Sequence, residues 1–164
     1  MDAELYRLAE EVGRSLQEAG WMLATAESCT GGWIAQAVTA VSGSSAWFER
    51  GFVAYSNAAK RELLGVREST LADHGAVSEP TVREMAEKAL ERSHAQVAVA
   101  VSGIAGPTGG TPAKPVGMVC IAWAVRGRPT RAQTRYFSGN REAVRRQAVQ
   151  AALEGVVRCA RGIE

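Results

Sequence analysis

At 164 residues the chain is close to the size of one compact domain, about 150 residues, and can bury a core without metal or disulfide staples. Hydrophobic residues at 46% and charged residues at 22% argue against a disordered chain. With 19 basic and 17 acidic side chains, the net charge of +2 does not point to nucleic acid. Cys29, Cys120 and Cys159 form no C-x-x-C pair, which argues against a disulfide framework or a cysteine zinc site, and no apolar run nears the ~18 residues of a membrane span. The acidic opening Asp2-Ala3-Glu4 does not read as a signal peptide, and His74 and His94 are too isolated to share a metal. The expectation is a reduced, soluble, cytoplasmic protein, one domain over residues 1–164, with no membrane or nucleic-acid partner.

In chain order, Asp2 caps a helix whose Leu5, Leu8, Ala9, Val12, Leu16 and Ala19 recur at helical spacing, and Gly20 stops it. Trp21 to Thr25 reads as a buried strand. A turn over 27–32 then leads into a helix through Trp33, Ile34, Ala37, Val38 and Val41. After the turn cluster Ser42-Gly43-Ser44-Ser45, a second strand lies between Phe48 and Ser56, and Asn57 is the expected cap of a helix from Ala58 to Leu64. A short helix is expected near Ser69 to Asp73. Ser78 and Pro80 open another that runs to about Arg92. Gln96 to Val101 reads as a central strand, and a glycine-rich loop follows from Ser102 to Gly117. Met118–Val125 and Thr130–Phe137 read as antiparallel strands joined at Gly127. Asn140 caps a last helix, with Ala143, Val144, Ala148, Ala151, Ala152 and Val156 inward and Arg141, Arg145, Arg146 and Arg158 on its outer face. Strands separated by helices predict an α/β fold, a three-layer α/β/α arrangement with a mixed, mostly parallel sheet and helices on both faces.

Three segments can carry chemistry. In Thr25-Ala26-Glu27-Ser28-Cys29-Thr30-Gly31-Gly32 a strand ends, turns and enters a helix, so free N–H groups gather at the turn and Ser28 stands at its tip. The logic is that of a nucleophile elbow, although G-x-S-x-G itself is absent; capping of the helix by Ser28 or Thr30 is the competing reading. Glu27 is either an orienting acid or an exposed first-turn charge. In Tyr55-Ser56-Asn57-Ala58-Ala59-Lys60, Ser56 and Asn57 share a helical face with Lys60. A serine beside a lysine can form a nucleophile and base if the amine is neutral, which needs desolvation; a solvated surface lysine is the competing reading. Ser102-Gly103-Ile104-Ala105-Gly106-Pro107-Thr108-Gly109-Gly110, extended to Gly117, follows the end of a strand, where α/β sheets bind ligands. It matches neither a Walker loop nor the dinucleotide fingerprint, and a hairpin-like excursion or dimer arm is its structural alternative. The arginine face of the last helix is read as solvent-facing, with a phosphate or partner contact as the alternative. His74 is read as satisfying a turn.

These motifs in this order, with Gly43-Ser44-Ser45, Phe48, Gly51, His74-Gly75-Ala76-Val77-Ser78 and Lys114-Pro115-Val116-Gly117, resemble the C-terminal domain family of the competence/damage-inducible protein CinA. The resemblance covers nearly the whole chain and points to the stand-alone form. It implies hydrolysis of the carboxamide of nicotinamide mononucleotide to nicotinic acid mononucleotide and ammonia, in pyridine nucleotide recycling, without metal or cofactor. It puts the serine, lysine and tyrosine roles on Ser28, Lys60 and Tyr55. Substrate-contact candidates are Cys29, Thr30, Gly31 and Gly32 at the turn, Ser44, Ser45 and Asn57, and Ser102, Gly103, Gly106, Gly109 and Gly110 in the long loop. Ser45 and Ser56 are rival nucleophiles. A non-catalytic nucleotide-binding module with the same pocket is the alternative function. A homo-oligomer, a dimer in its simplest form, is expected through exposed apolar residues such as Trp47 and Phe48.

Overall fold

The computed structural model describes residues 2–163. Helix α1 (Ala3–Ala19) starts as its sequence predicts, with the Asp2 carboxylate accepting from the N–H groups of Glu4 and Leu5, and Gly20 ends it at φ 72°. Strand β1 (Leu23–Glu27), α2 (Trp33–Thr39), a 3-10 turn at Ser44–Ala46 and β2 (Phe48–Val53) follow. Next come α3 (Asn57–Leu64), α4 (Glu68–His74), α5 (Glu79–Glu91), β3 (Val97–Gly103), β4 (Met118–Val125), β5 (Arg131–Tyr136) and α6 (Arg141–Arg161).

The sheet order is β2-β1-β3-β4-β5. Strands β2, β1 and β3 are parallel, and β4 is antiparallel to both β3 and β5, so it alone of the five strands is reversed, as the mixed, mostly parallel expectation requires. Because β1 is followed by β2 on one side and reached by β3 on the other, the carboxyl ends of β1 and β3 border a topological switch point.

Side-chain size sorts the two faces of the sheet. Val97, Val99, Val101, Val119, Ile121 and Trp123 join the core built with α1, α2 and α6, and so does Trp47, which with Phe48 packed beside it is a core residue and not the exposed anchor expected. The intervening Ala98, Ala100, Ala122 and Ala124 lie in the core under α3, α4 and α5, where the missing bulk lets α5 pack close to the strands.

Several details differ from expectation. Strand β1 begins two residues late and includes Glu27, because pairing starts where the Leu23 N–H meets Trp47 O, and because a carboxylate can be buried when backbone and hydroxyl donors surround it. The cap of α3 is Ser56, not Asn57: the Ser56 hydroxyl accepts from the Ala59 N–H at 3.0 Å, and Asn57 is the first helical residue, exposed. The long loop closes as a hairpin extension, since the Ile104 N–H donates to Met118 O and the Gly117 N–H to Ile104 O.

Candidate active site

The Ser28 N–H donates to Val101 O at 3.0 Å, carrying the β1–β3 ladder one step beyond the Glu27–Val101 pair and fixing Ser28 at the switch point. The chain then turns back, with the Gly31 N–H donating to Ser28 O at 3.0 Å. Gly31 and Gly32 sit at φ 59° and 102°, a region that disfavours a β-carbon.

From the neighbouring crossover, α3 supplies Lys60, whose Nζ donates to Ser28 Oγ at 2.9 Å and to Tyr55 O at 3.0 Å. Ser28 Oγ also donates to Tyr55 O at 3.3 Å. Lys60 is 1% exposed and Ser28 7%. No carboxylate pairs with Lys60 among the described residues, so burial lowers its pKa with little opposition. A buried amine poised toward neutrality beside a nearly enclosed hydroxyl can take a proton and return it.

The profile of the CinA C-terminal domain matches residues 5–160. The chain belongs to the CinA C-terminal domain family. Among its relatives, nicotinamide-nucleotide amidohydrolase PncC of Escherichia coli strain K12 is 56% identical over 153 residues, 93% of each chain. The protein of the same name from Pseudomonas putida is 53% identical over 150 residues, 92% of this chain and 93% of that one. The crystal structure of competence/damage inducible protein CihA from Agrobacterium tumefaciens matches with a TM-score of 0.92 at 46% identity, over 96% of both chains.

In this CinA domain the sequence candidates separate. Ser28, Lys60 and Tyr55 come together, but Tyr55 contributes its carbonyl. Its phenol is exposed and accepts from Arg141 Nη2 at 3.3 Å. Ser56 shares α3 with Lys60 yet spends its hydroxyl on the helix cap. Ser44 and Ser45 lie in the turn ahead of β2, at the amino end of the parallel strands, whereas Ser28 is at the carboxyl end of β1; the fold does not bring them to Ser28. Ser102 is buried at the end of β3, beside the ladder step that holds Ser28. Gly103 has a packing reason for its identity, since a β-carbon there would sit 2.7 Å from Val119 Cγ2. Gly106 receives Arg141 Nη1 on its carbonyl at 2.9 Å, while Gly109 and Gly110 are exposed near the loop tip. Among the described residues no group of three or more His, Cys, Asp or Glu could hold a metal ion.

Cys29, Thr30 and Gly31 form the turn after Ser28, and the Gly31 N–H is committed to Ser28 O. Burial pushes the Cys29 thiol up to about 11, which keeps it protonated and inert. Glu27 is fully buried and is not a first-turn surface charge: it accepts from Thr30 Oγ1 at 2.6 Å and from the N–H groups of Ile34 and Ala35 at 2.9 and 3.0 Å. His74 is exposed, and its carbonyl receives Lys114 Nζ, which ties the long loop to α4.

Two residues first assigned to a solvent face belong here. Arg141 reaches Tyr55 and Gly106, and Arg145 reaches Cys29 O and Thr30 O. The sequence carries only the spacing of these two arginines, and the strand directions supply the rest. β5 runs in the same direction as β1, so α6 has to start at the carboxyl edge of the sheet, and arginines four apart in its first turns share one face.

Proposed function

We propose that this CinA domain hydrolyses the carboxamide of nicotinamide mononucleotide to nicotinic acid mononucleotide and ammonia, as part of pyridine nucleotide recycling. Ser28 is the nucleophile and Lys60 the base. The observation that carries the reading is the buried Lys60 amine 2.9 Å from Ser28 Oγ, in a chain 56% identical to a nicotinamide-nucleotide amidohydrolase.

Ser28 Oγ attacks the carboxamide carbon while neutral Lys60 takes its proton. The oxyanion faces the turn, where the Cys29 N–H, on the residue after the nucleophile, makes no backbone bond inside the loop and serves as donor. Lys60 then returns the proton to the departing nitrogen, and the C–N bond breaks to release ammonia and leave an acyl ester on Ser28. Water, deprotonated by Lys60, adds to the ester, and the carboxylate leaves as Ser28 regains its hydrogen. The positive pyridinium adds to the desolvation that keeps the Lys60 amine neutral. The 5′-phosphate is assigned to Arg141, at the amino end of α6, beside a surface depression lined by Ala105, Pro107, Val116, Asn140 and the carboxylate of Glu142.

The test is ammonia release from nicotinamide mononucleotide by the purified chain and by Ser28→Ala, Ser45→Ala and Ser56→Ala variants. The reading expects turnover by the wild type, near-complete loss in Ser28→Ala alone, and a chromatographic peak for the acid product. Saturable binding of the nucleotide with no ammonia from the wild type overturns it in favour of a binding module.

A further inference from the structure

We infer that Arg145 is a positioning residue that holds the Ser28 turn in its working shape from outside the site; the inference rests on the amidase reading of that turn. The Arg145 guanidinium donates from Nε to Cys29 O at 3.0 Å and from Nη2 to Thr30 O at 3.2 Å. It also lies over the Trp33 ring, 5.4 Å from its centroid. Both carbonyls are thus seized by one rigid fork carried on α6, a helix remote in sequence from the turn.

Holding these carbonyls sets the direction of the donors. In a planar trans peptide the C=O of one residue and the N–H of the next point in opposite directions. Fixing Thr30 O therefore aims the Gly31 N–H, which donates to Ser28 O at 3.0 Å. With Ser28 O held there, the Cys29 N–H of that same peptide is turned the opposite way, out of the loop's internal bonding. The orientation of the proposed oxyanion donor is thereby traced through two peptide planes to Arg145. The positive charge also polarises both carbonyls, which strengthens the N–H groups attached to them.

The far side of the turn is braced by Glu27, which ties the Thr30 hydroxyl to the first N–H groups of α2. Gly31 is needed for its φ of 59° and not for the fork, since a β-carbon there would lie 3.6 Å from Arg145 Nη2, an ordinary contact. Because the two bonds Arg145 makes here both end on carbonyls of the loop, its effect on chemistry runs through the loop's geometry.

The experiment compares wild type, Arg145→Lys and Arg145→Ala by steady-state ammonia release and by hydrogen exchange of peptides covering residues 27–33. Arg145→Ala is expected to lower kcat by about 10- to 100-fold, the scale of a misplacement of about 1 Å. KM should stay within about 2-fold, because substrate binding is not what is lost. Arg145→Lys, which keeps the charge but not the fork, should fall between, and added guanidinium ion should restore part of the Arg145→Ala rate. Amide exchange over 28–32 should accelerate in Arg145→Ala while the β3 peptides keep their protection. A folded Arg145→Ala with unchanged kcat and unchanged exchange overturns the inference. So does a raised KM at unchanged kcat, which would make Arg145 a substrate contact. If the wild type itself releases no ammonia, the amidase reading fails, and the exchange comparison alone then decides whether Arg145 orders the turn.

Discussion

Replacing Lys60 by methionine keeps most of the side-chain volume and removes the amine. In the wild type that amine donates to Ser28 Oγ at 2.9 Å and Tyr55 O at 3.0 Å, and it is almost wholly enclosed. Tyr55 O keeps its bond from Ser28 Oγ, so no buried carbonyl is stranded. Loss of a positioned base costs about 10²- to 10⁴-fold in rate. At ~1.36 kcal/mol per tenfold that is about 2.7–5.4 kcal/mol of barrier. Stability should move the opposite way. Burial lowers the Lys60 pKa below its ordinary 10.5, so between the two values the unfolded chain binds more protons than the folded one. Wild-type stability therefore rises with pH through that window, and below it the fold carries the full cost of a buried charge. The variant should melt a few degrees higher than wild type near neutral pH, with the difference shrinking as pH approaches about 10.5. The assays are pH profiles of kcat/KM and thermal midpoints at matched pH. The wild-type rate should climb with pH as Lys60 loses its proton, and this limb should vanish with the amine. A folded Lys60→Met that keeps more than about a tenth of the turnover, or a stability difference that ignores pH, would refute the reasoning.

Arg141→Ala should raise KM for nicotinamide mononucleotide by about 10-fold or more, while leaving hydrolysis of the riboside, which lacks the phosphate, within about 2-fold; parallel kinetics on both substrates check this. The Cys29 thiol, held near 11 by burial, should resist an alkylating reagent at about pH 8, so treated enzyme should keep its turnover and mass spectrometry should find Cys29 labelled only after unfolding. Gly155→Ala would drive a β-carbon into the indole of Trp123 in the core between α6 and the sheet, a destabilisation of about 1–3 kcal/mol by overpacking, readable in thermal melts.

Much of the fold is local and was legible. Asp2 and Gly20, Ser78 with Pro80, and Asn140 mark helix ends because short polar side chains satisfy the first N–H groups and glycine accepts the left-handed exit. The two antiparallel strands and their turn at Gly127 also match the sheet. The boundaries that slipped did so where a distant partner decides. Val97–Gly103 runs past the apolar stretch because β4 pairs with it as far as Gly103 against Val119. Adjacent Ser56 and Asn57 can both cap a helix in a peptide, and only the path out of β2 selects the serine.

The site divides in the same way. The strand–turn–helix run at Ser28 and the motif carrying Lys60 are written in the chain, because glycine placement and residue order are local properties. Whether that lysine is solvated or buried, which of three serines it meets, and whether Tyr55 meets it by phenol or carbonyl are questions of contact between segments. The crossing of α3 over the end of β1 answers them by excluding water from Lys60 and aiming it at Ser28. Arg145 joined the turn and Arg141 met Tyr55 for the same reason: a helix's outer face is defined only once the fold has chosen what lies against it.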